Sequence, residues 1–295
     1  MCARLLVLVV LMFNPTLPTG AVSAGTESSL LGDGANLIDS GFDLLYRLKF
    51  SEARSRFEDY EKAHSDDPLG EVSIAASYLF EEFYSQHVFT SGFFLDDRRL
   101  LGGVAGKPDA GNTVNFNRAN QRGRDLARHR LDADATDADA LFALTLAAGM
   151  QADYASILEK RQFESLRLVR EANDYAKRLL KLRPDVADAW LAIGAANYII
   201  GCLPAHVRFF LWFGGVRGDK QLGMQQLRKT AEEGHYLRPF AKIFLALASM
   251  REGQEDVARR QFSDLAAQFP ENSLFADELA RINLRVGRTG RSPKS

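Results

Sequence analysis

The run Leu237-Arg-Pro-Phe-Ala-Lys-Ile-Phe-Leu-Ala-Leu-Ala-Ser-Met-Arg-Glu-Gly-Gln-Glu-Asp-Val-Ala-Arg-Arg-Gln-Phe-Ser-Asp-Leu-Ala-Ala-Gln-Phe-Pro270 reads as two helices joined by a turn. Phe240, Phe244, Leu245 and Leu247 recur at the spacing of one helix face. Arg251-Glu252-Gly253-Gln254 interrupts that pattern, and glycine there supports a tight turn. Ala258, Phe262 and Leu265 mark a second helix, which stops at Phe269-Pro270 because proline cannot continue it. The small Ala258 lets two helices approach closely, and Phe262 fills the space beside that approach.

The same punctuation recurs upstream. Pro184 precedes a stretch with Trp190, Ile193 and Gly194 at first-helix positions, and Asp139 to Leu144 repeats the pattern of Asp188 to Ile193. Phe50, Ala53 and Phe57 imitate the second-helix signature ahead of Pro68. Alternating β-branched runs are almost absent from Asp33 onward. Leu274 to Leu284 carries Asp277, Glu278 and Arg281, as a solubilising end helix should. The order of Gly253, Ala258, Phe262 and Pro270 resembles the tetratricopeptide repeat (TPR). The expected fold is all-α, a TPR-like helical-hairpin solenoid of about five hairpins and an end helix, with residues 25–286 as one domain.

Two stretches, Ser91 to Thr113 and Gly201 to Gly218, interrupt this rhythm and are glycine-rich. Insertions this long in a compact repeat are more often functional than accidental. Both are accompanied by dense aromatics, among them Phe80 and Phe89. Tyr78, Phe83, Tyr84, Phe93, Phe94, Phe209, Phe210, Trp212 and Phe213 are therefore the candidates for holding a partner helix or an apolar ligand. The competing reading makes them core, filling the wider gap that a broken repeat opens.

Charge is distributed unevenly. Arg118, Arg122, Arg124, Arg128 and Arg130 face Asp125 alone between Asn115 and Leu131, and eight basic residues lie between Lys160 and Arg183. Both stretches fall on second helices, so Arg122, Arg128, Arg167, Arg170 and Lys177 are candidates for one stripe contacting an anionic lipid or polysaccharide surface. The alternative is a solvated helix face laced with i,i+4 pairs.

At the N-terminus, Arg4, the apolar run Leu5 to Phe13 and the small residues Ala21 to Ala24 follow the order of a secretory signal peptide. Cleavage is expected between Ala24 and Gly25, and nine apolar residues are too few to span a bilayer. The mature chain would keep one cysteine, Cys202, which forms no internal bridge. Abundant Ala, Arg, Asp and Gly suit a GC-rich bacterial gene, so a periplasmic or secreted location is expected. From Arg285 onward the chain has four basic residues and no acid, and 287–295 are expected to be a disordered tail.

Within 295 residues, 46% hydrophobic and 25% charged, there is ample material for a core. Thirty-seven basic and 38 acidic side chains leave a net charge of -1, which argues against a nucleic-acid partner. No histidine pair has the i,i+4 spacing of a helical metal site. Gly102 to Lys107 is one residue short of a phosphate loop, and Pro108 stands where the hydroxyl belongs. Asp132, Asp134, Asp137 and Asp139 lack the glycine and the final Glu of a calcium loop, and capping of the following helix explains them better. The Gly-x-Ser-x-Gly elbow is absent. Arg217-Gly218-Asp219 reads as a turn and helix cap rather than an adhesion signal. No catalytic residue, metal or cofactor is expected.

Gly194-Ala-Ala-Asn-Tyr-Ile-Ile-Gly-Cys-Leu-Pro204, Phe209-Phe-Leu-Trp-Phe-Gly-Gly-Val-Arg-Gly-Asp219 and Gly223-Met-Gln-Gln-Leu227 together resemble the central block of the eukaryotic TPR-protein-39 / inclusion-body-clearance family. Val216-Arg217 stands where that family tends to have an aromatic, and a signal peptide is foreign to its intracellular members. The resemblance implies a TPR scaffold without known catalysis, in which the Cys202 to Asp219 insertion is structural. The functional expectation is an exported bacterial scaffold that binds another envelope protein or complex through first-helix faces and the aromatic insertions. The alternative is a carrier or sensor of an apolar molecule in an aromatic cavity.

Overall fold

Polar residues at the turns set the helix starts. Asp67 accepts from the Leu69 N–H, Asp137 from Ala140, Asp219 from Gln221 and Leu222, and Asn272 from Leu274, at 2.8–3.1 Å. Each satisfies a backbone donor that the first helical turn leaves open. The structure is a computed structural model and describes residues 33–213 and 217–289. The leader expected at 1–24 and residues 290–295 of the expected tail lie outside the described residues.

α1 (Asp33–Tyr46) pairs with α2 (Phe50–Ala63). α3 (Pro68–Ser85) is followed by two short helices, α4 (Ser91–Phe94) and α5 (Asp97–Gly102), before its partner α6 (Ala110–Ala133). α7 (Ala138–Asp153) runs into a π-helical turn, Tyr154–Leu158, and pairs with α8 (Gln162–Leu182). α9 (Ala189–Cys202) is followed by α10 (Ala205–Phe213) and pairs with α11 (Lys220–Glu233). α12 (Arg238–Arg251) and α13 (Glu255–Gln268) form the last hairpin, on which α14 (Ser273–Thr289) packs as the end helix. The described residues thus form an all-α, TPR-like solenoid of five hairpins, with no strand.

The Leu237 to Pro270 hairpin forms as its spacing requires, with Gly253 at φ 71° in the turn and Ala258, Phe262, Leu265 and Phe269 buried. The two insertions are not plain loops, since each contains helix. Residues 287–289 of the expected tail are helical. α14 continues to Thr289, anchored by buried Ile282, and no proline intervenes before Pro293. The apolar helix from Ala138 to Leu158 has the length and composition to cross a membrane, but 61% of its most apolar window is buried in the stack.

Because successive helices run antiparallel, every turn inside a hairpin lies at one end of the stack. The first and last of these turns are tight, whereas the middle three carry α4–α5, the π-helical turn and α10. The stack also closes on itself. Phe42 packs its ring on Tyr236 at 5.2 Å, Tyr46 packs on Phe269 at 5.7 Å, and Asn272 donates to the Tyr46 carbonyl at 2.8 Å. Glu271 adds ion pairs to Arg47 at 3.3 Å and Lys49 at 3.7 Å.

Candidate functional site

The first insertion crosses the inside of the stack. Phe89 wedges between Phe80, Phe83 and Phe240, and Phe94 lies against Tyr198 and Phe244. Phe83, Phe93 and Phe94 are only 3%, 3% and 6% exposed. Of the sequence candidates here, these three are core. Tyr78 is half-buried beneath the Arg54 guanidinium at 3.7 Å, and Tyr84 is exposed beside Phe50. Polar contacts hold the insertion in place. Buried Glu278 accepts from the Ser91 N–H at 3.2 Å, and Arg251 donates to the Phe94 carbonyl at 3.2 Å and pairs with Asp97. At the far side, buried Glu82 accepts from the Asp109 N–H and the Asn112 amide. The Val104 N–H reaches Ile157 at 2.9 Å, tying the insertion to the π-helical turn.

The second insertion is arranged the opposite way. α9 and α11 touch backbone to backbone along four glycines. A Cβ at Gly223 would lie 2.6 Å from the Tyr198 nitrogen, one at Gly194 2.9 Å from that of Leu227, and one at Gly218 2.5 Å from that of Gly201. These are four of the six glycines of the resemblance block, and the contact explains those four. α9 and α11 close directly on each other, so α10 stands outside the hairpin they form. Phe209 is 57% exposed and Trp212 49%, and the Arg217 guanidinium lies 5.8 Å from the Trp212 ring centre. The side chains of Phe210 and Phe213, the other two candidates, lie outside the described residues. Cys202 is half-buried at the end of α9, and burial raises its thiol pKa, which favours the protonated form.

The basic stretches do fall on second helices, α6 and α8, and Glu171 joins them. Arg124, Arg128 and Arg167 converge on that one carboxylate at 2.5, 3.5 and 3.5 Å. Arg124 is buried with its second Nη unpartnered. Arg128 also reaches Asp125 at 3.6 Å and Arg167 reaches Glu164 at 4.0 Å. Arg122 instead turns toward Glu61 and Glu71, and Arg170 and Lys177 are exposed along α8. At the start of this ridge Val114 is exposed and Phe163 is 89% exposed. Neither Glu171 as a hub nor Phe163 as a surface residue is evident from spacing alone; the solitary aromatic in the first turn of a charged helix was the available signal.

Other polar groups serve the frame. Asp188 is buried and accepts from the backbone N–H groups of His235, Tyr236 and Leu237 at 3.0–3.2 Å. Burial raises its pKa, and those three donors pull it partly back down. Among the described residues no three His, Cys, Asp or Glu side chains are grouped to hold a metal ion.

No family model matches this chain, and no curated protein matches it in sequence. Among solved structures, the crystal structure of a thermophilic TPR protein from Thermus thermophilus is similar, at 13% identity and a TM-score of 0.44, over 85% of this chain and 99% of that one.

Proposed function

We propose that this protein is an exported, non-catalytic scaffold of the bacterial envelope that binds an acidic polypeptide surface along the α6–α8 ridge. The observation that carries this reading is the convergence of Arg124, Arg128 and Arg167 on Glu171 beside exposed Phe163. Along α6 and α8 ten Lys and Arg side chains stand against five acidic ones, an excess that attracts an acidic partner, and an exposed aromatic gives that partner an apolar anchor. Binding through the inner helix faces has no such support, because the chain's own first insertion occupies them. The apolar-ligand alternative loses Phe83, Phe93 and Phe94 to core packing in the same way.

A photo-crosslinking residue at position 163, introduced into the full gene in its native host, tests the reading. The expected product is one defined polypeptide adduct in the envelope fraction, lost in an Arg128→Glu/Arg167→Glu variant and weakened by salt. N-terminal sequencing of the same material should begin at Gly25. Adducts to many proteins alike, insensitive to the arginine changes, would remove the ridge as a binding surface.

A further inference from the structure

We propose that α10 lies in the surface of an anionic lipid bilayer and seats the scaffold there. From Ala205 to Phe213 only His206 and Arg208 are polar, so most of the helix circumference is apolar. Such a helix is better satisfied in the boundary between headgroups and acyl chains than by one narrow docking stripe. Phe209 and Trp212 are three residues apart, share a side of the helix and are about half exposed.

Charge points to the same surface. No Asp or Glu occurs from Ala189 to Gly218, and Arg208 and Arg217 flank the aromatics. Anionic headgroups complement that stretch. The Arg217 guanidinium over the Trp212 ring suits a cation held among headgroups above an indole at the interface. Nine residues of helix extend only about 14 Å, so the contact lies in the plane of the membrane and does not cross it. The glycine contact between α9 and α11 supplies the mechanics, since α10 enters lipid without any core helix moving apart.

Trp190 and Trp212 are the two tryptophans of the chain, and the Trp190 indole N–H has no hydrogen bond to lose. A full-length Trp190→Phe protein therefore reports from Trp212 alone, whatever other segments touch the membrane. It is mixed with vesicles of brominated phosphatidylcholine, with and without phosphatidylglycerol. The expected result is a blue shift and bromine quenching of Trp212 on the phosphatidylglycerol vesicles, diminished by salt. Phe209→Ser should weaken the response about tenfold at unchanged helicity. Arg128→Glu/Arg167→Glu should leave it unaltered, which separates this site from the ridge. Should Phe209→Ser misfold, the quenching of Trp212 beside native Phe209 still decides the matter. An unshifted, unquenched Trp212, or quenching equal on both vesicles, overturns the proposal. A shift that appears only with an added protein also overturns it and gives α10 to a polypeptide.

Discussion

The Tyr46 hydroxyl, on the last turn of α1, donates to the carbonyl oxygen of Tyr236 at 3.0 Å across a sequence separation of 190. This contact joins the first hairpin to the last. Burial pushes the Tyr46 phenol well above its usual range, so it stays a neutral donor. Tyr46→Phe should cost about 1 kcal/mol, the price of leaving one buried acceptor unmet. Tyr46→Ala should cost about 3–5 kcal/mol, because the ring that packs on Phe269 goes as well. Urea unfolding followed by far-UV circular dichroism measures both. An open stack would show neither loss at full size.

The α9–α11 contact makes a sharper forecast because a control lies nearby. Gly223→Ala places a methyl 2.6 Å from the Tyr198 nitrogen and 2.8 Å from the Gly194 carbonyl oxygen. Backbone cannot yield as a side-chain tip does, so the change should cost about 1–3 kcal/mol. Gly149→Ala, inside α7 with nothing within 4 Å, should instead stabilise by about 0.5–1 kcal/mol. Thermal melts of the two proteins should move in opposite directions.

Phe94→Ala tests the inner placement of the first insertion. Phe94 is buried against Tyr198 and Phe244, and its removal should cost about 3–4 kcal/mol. Limited proteolysis should then cut between residues 88 and 104 before any helix of the stack. Equal resistance in mutant and wild type would place the insertion on the surface.

Asp153, where α7 passes into the π-helical turn, carries a pH dependence. Burial pushes its carboxyl from the ordinary value up to about 7. The folded state therefore holds this proton more tightly than the unfolded chain does. The associated stability is present below pH of about 4 and is lost as pH rises to about 7. Asp153→Asn should remove that slope and stabilise the protein by about 1–3 kcal/mol at pH 8, measured by urea titrations across the range.

Helix positions were legible from the residues because they depend on local spacing. The Leu237–Pro270 hairpin, the second-helix signature of Phe50, Ala53 and Phe57, and the caps at Asp137 and Asp219 all follow from residues within a few positions of each other. The candidate sites were legible only as lists. The first and second insertions are both aromatic, yet Phe94 is core while Phe209 is exposed, and nothing local distinguishes them. Their fates depend on distant partners: Tyr198 and Phe244 wait for Phe94, whereas glycines let α9 and α11 close without α10.

Sequence periodicity thus establishes an all-α hairpin array, since a helix buries whichever face its 3.6-residue repeat makes apolar. It leaves open how far the array curves. That curvature sums small angles set by packing at each hairpin, and here it brings Tyr46 to Tyr236 and Asn272. Closure fills the interior with the chain's own aromatics and leaves Phe163 on the outer ridge and Phe209 and Trp212 on α10 exposed. Burial, ion pairing on Glu171 and the exposure of Trp212 arise from that long-range geometry, which no short window of residues contains.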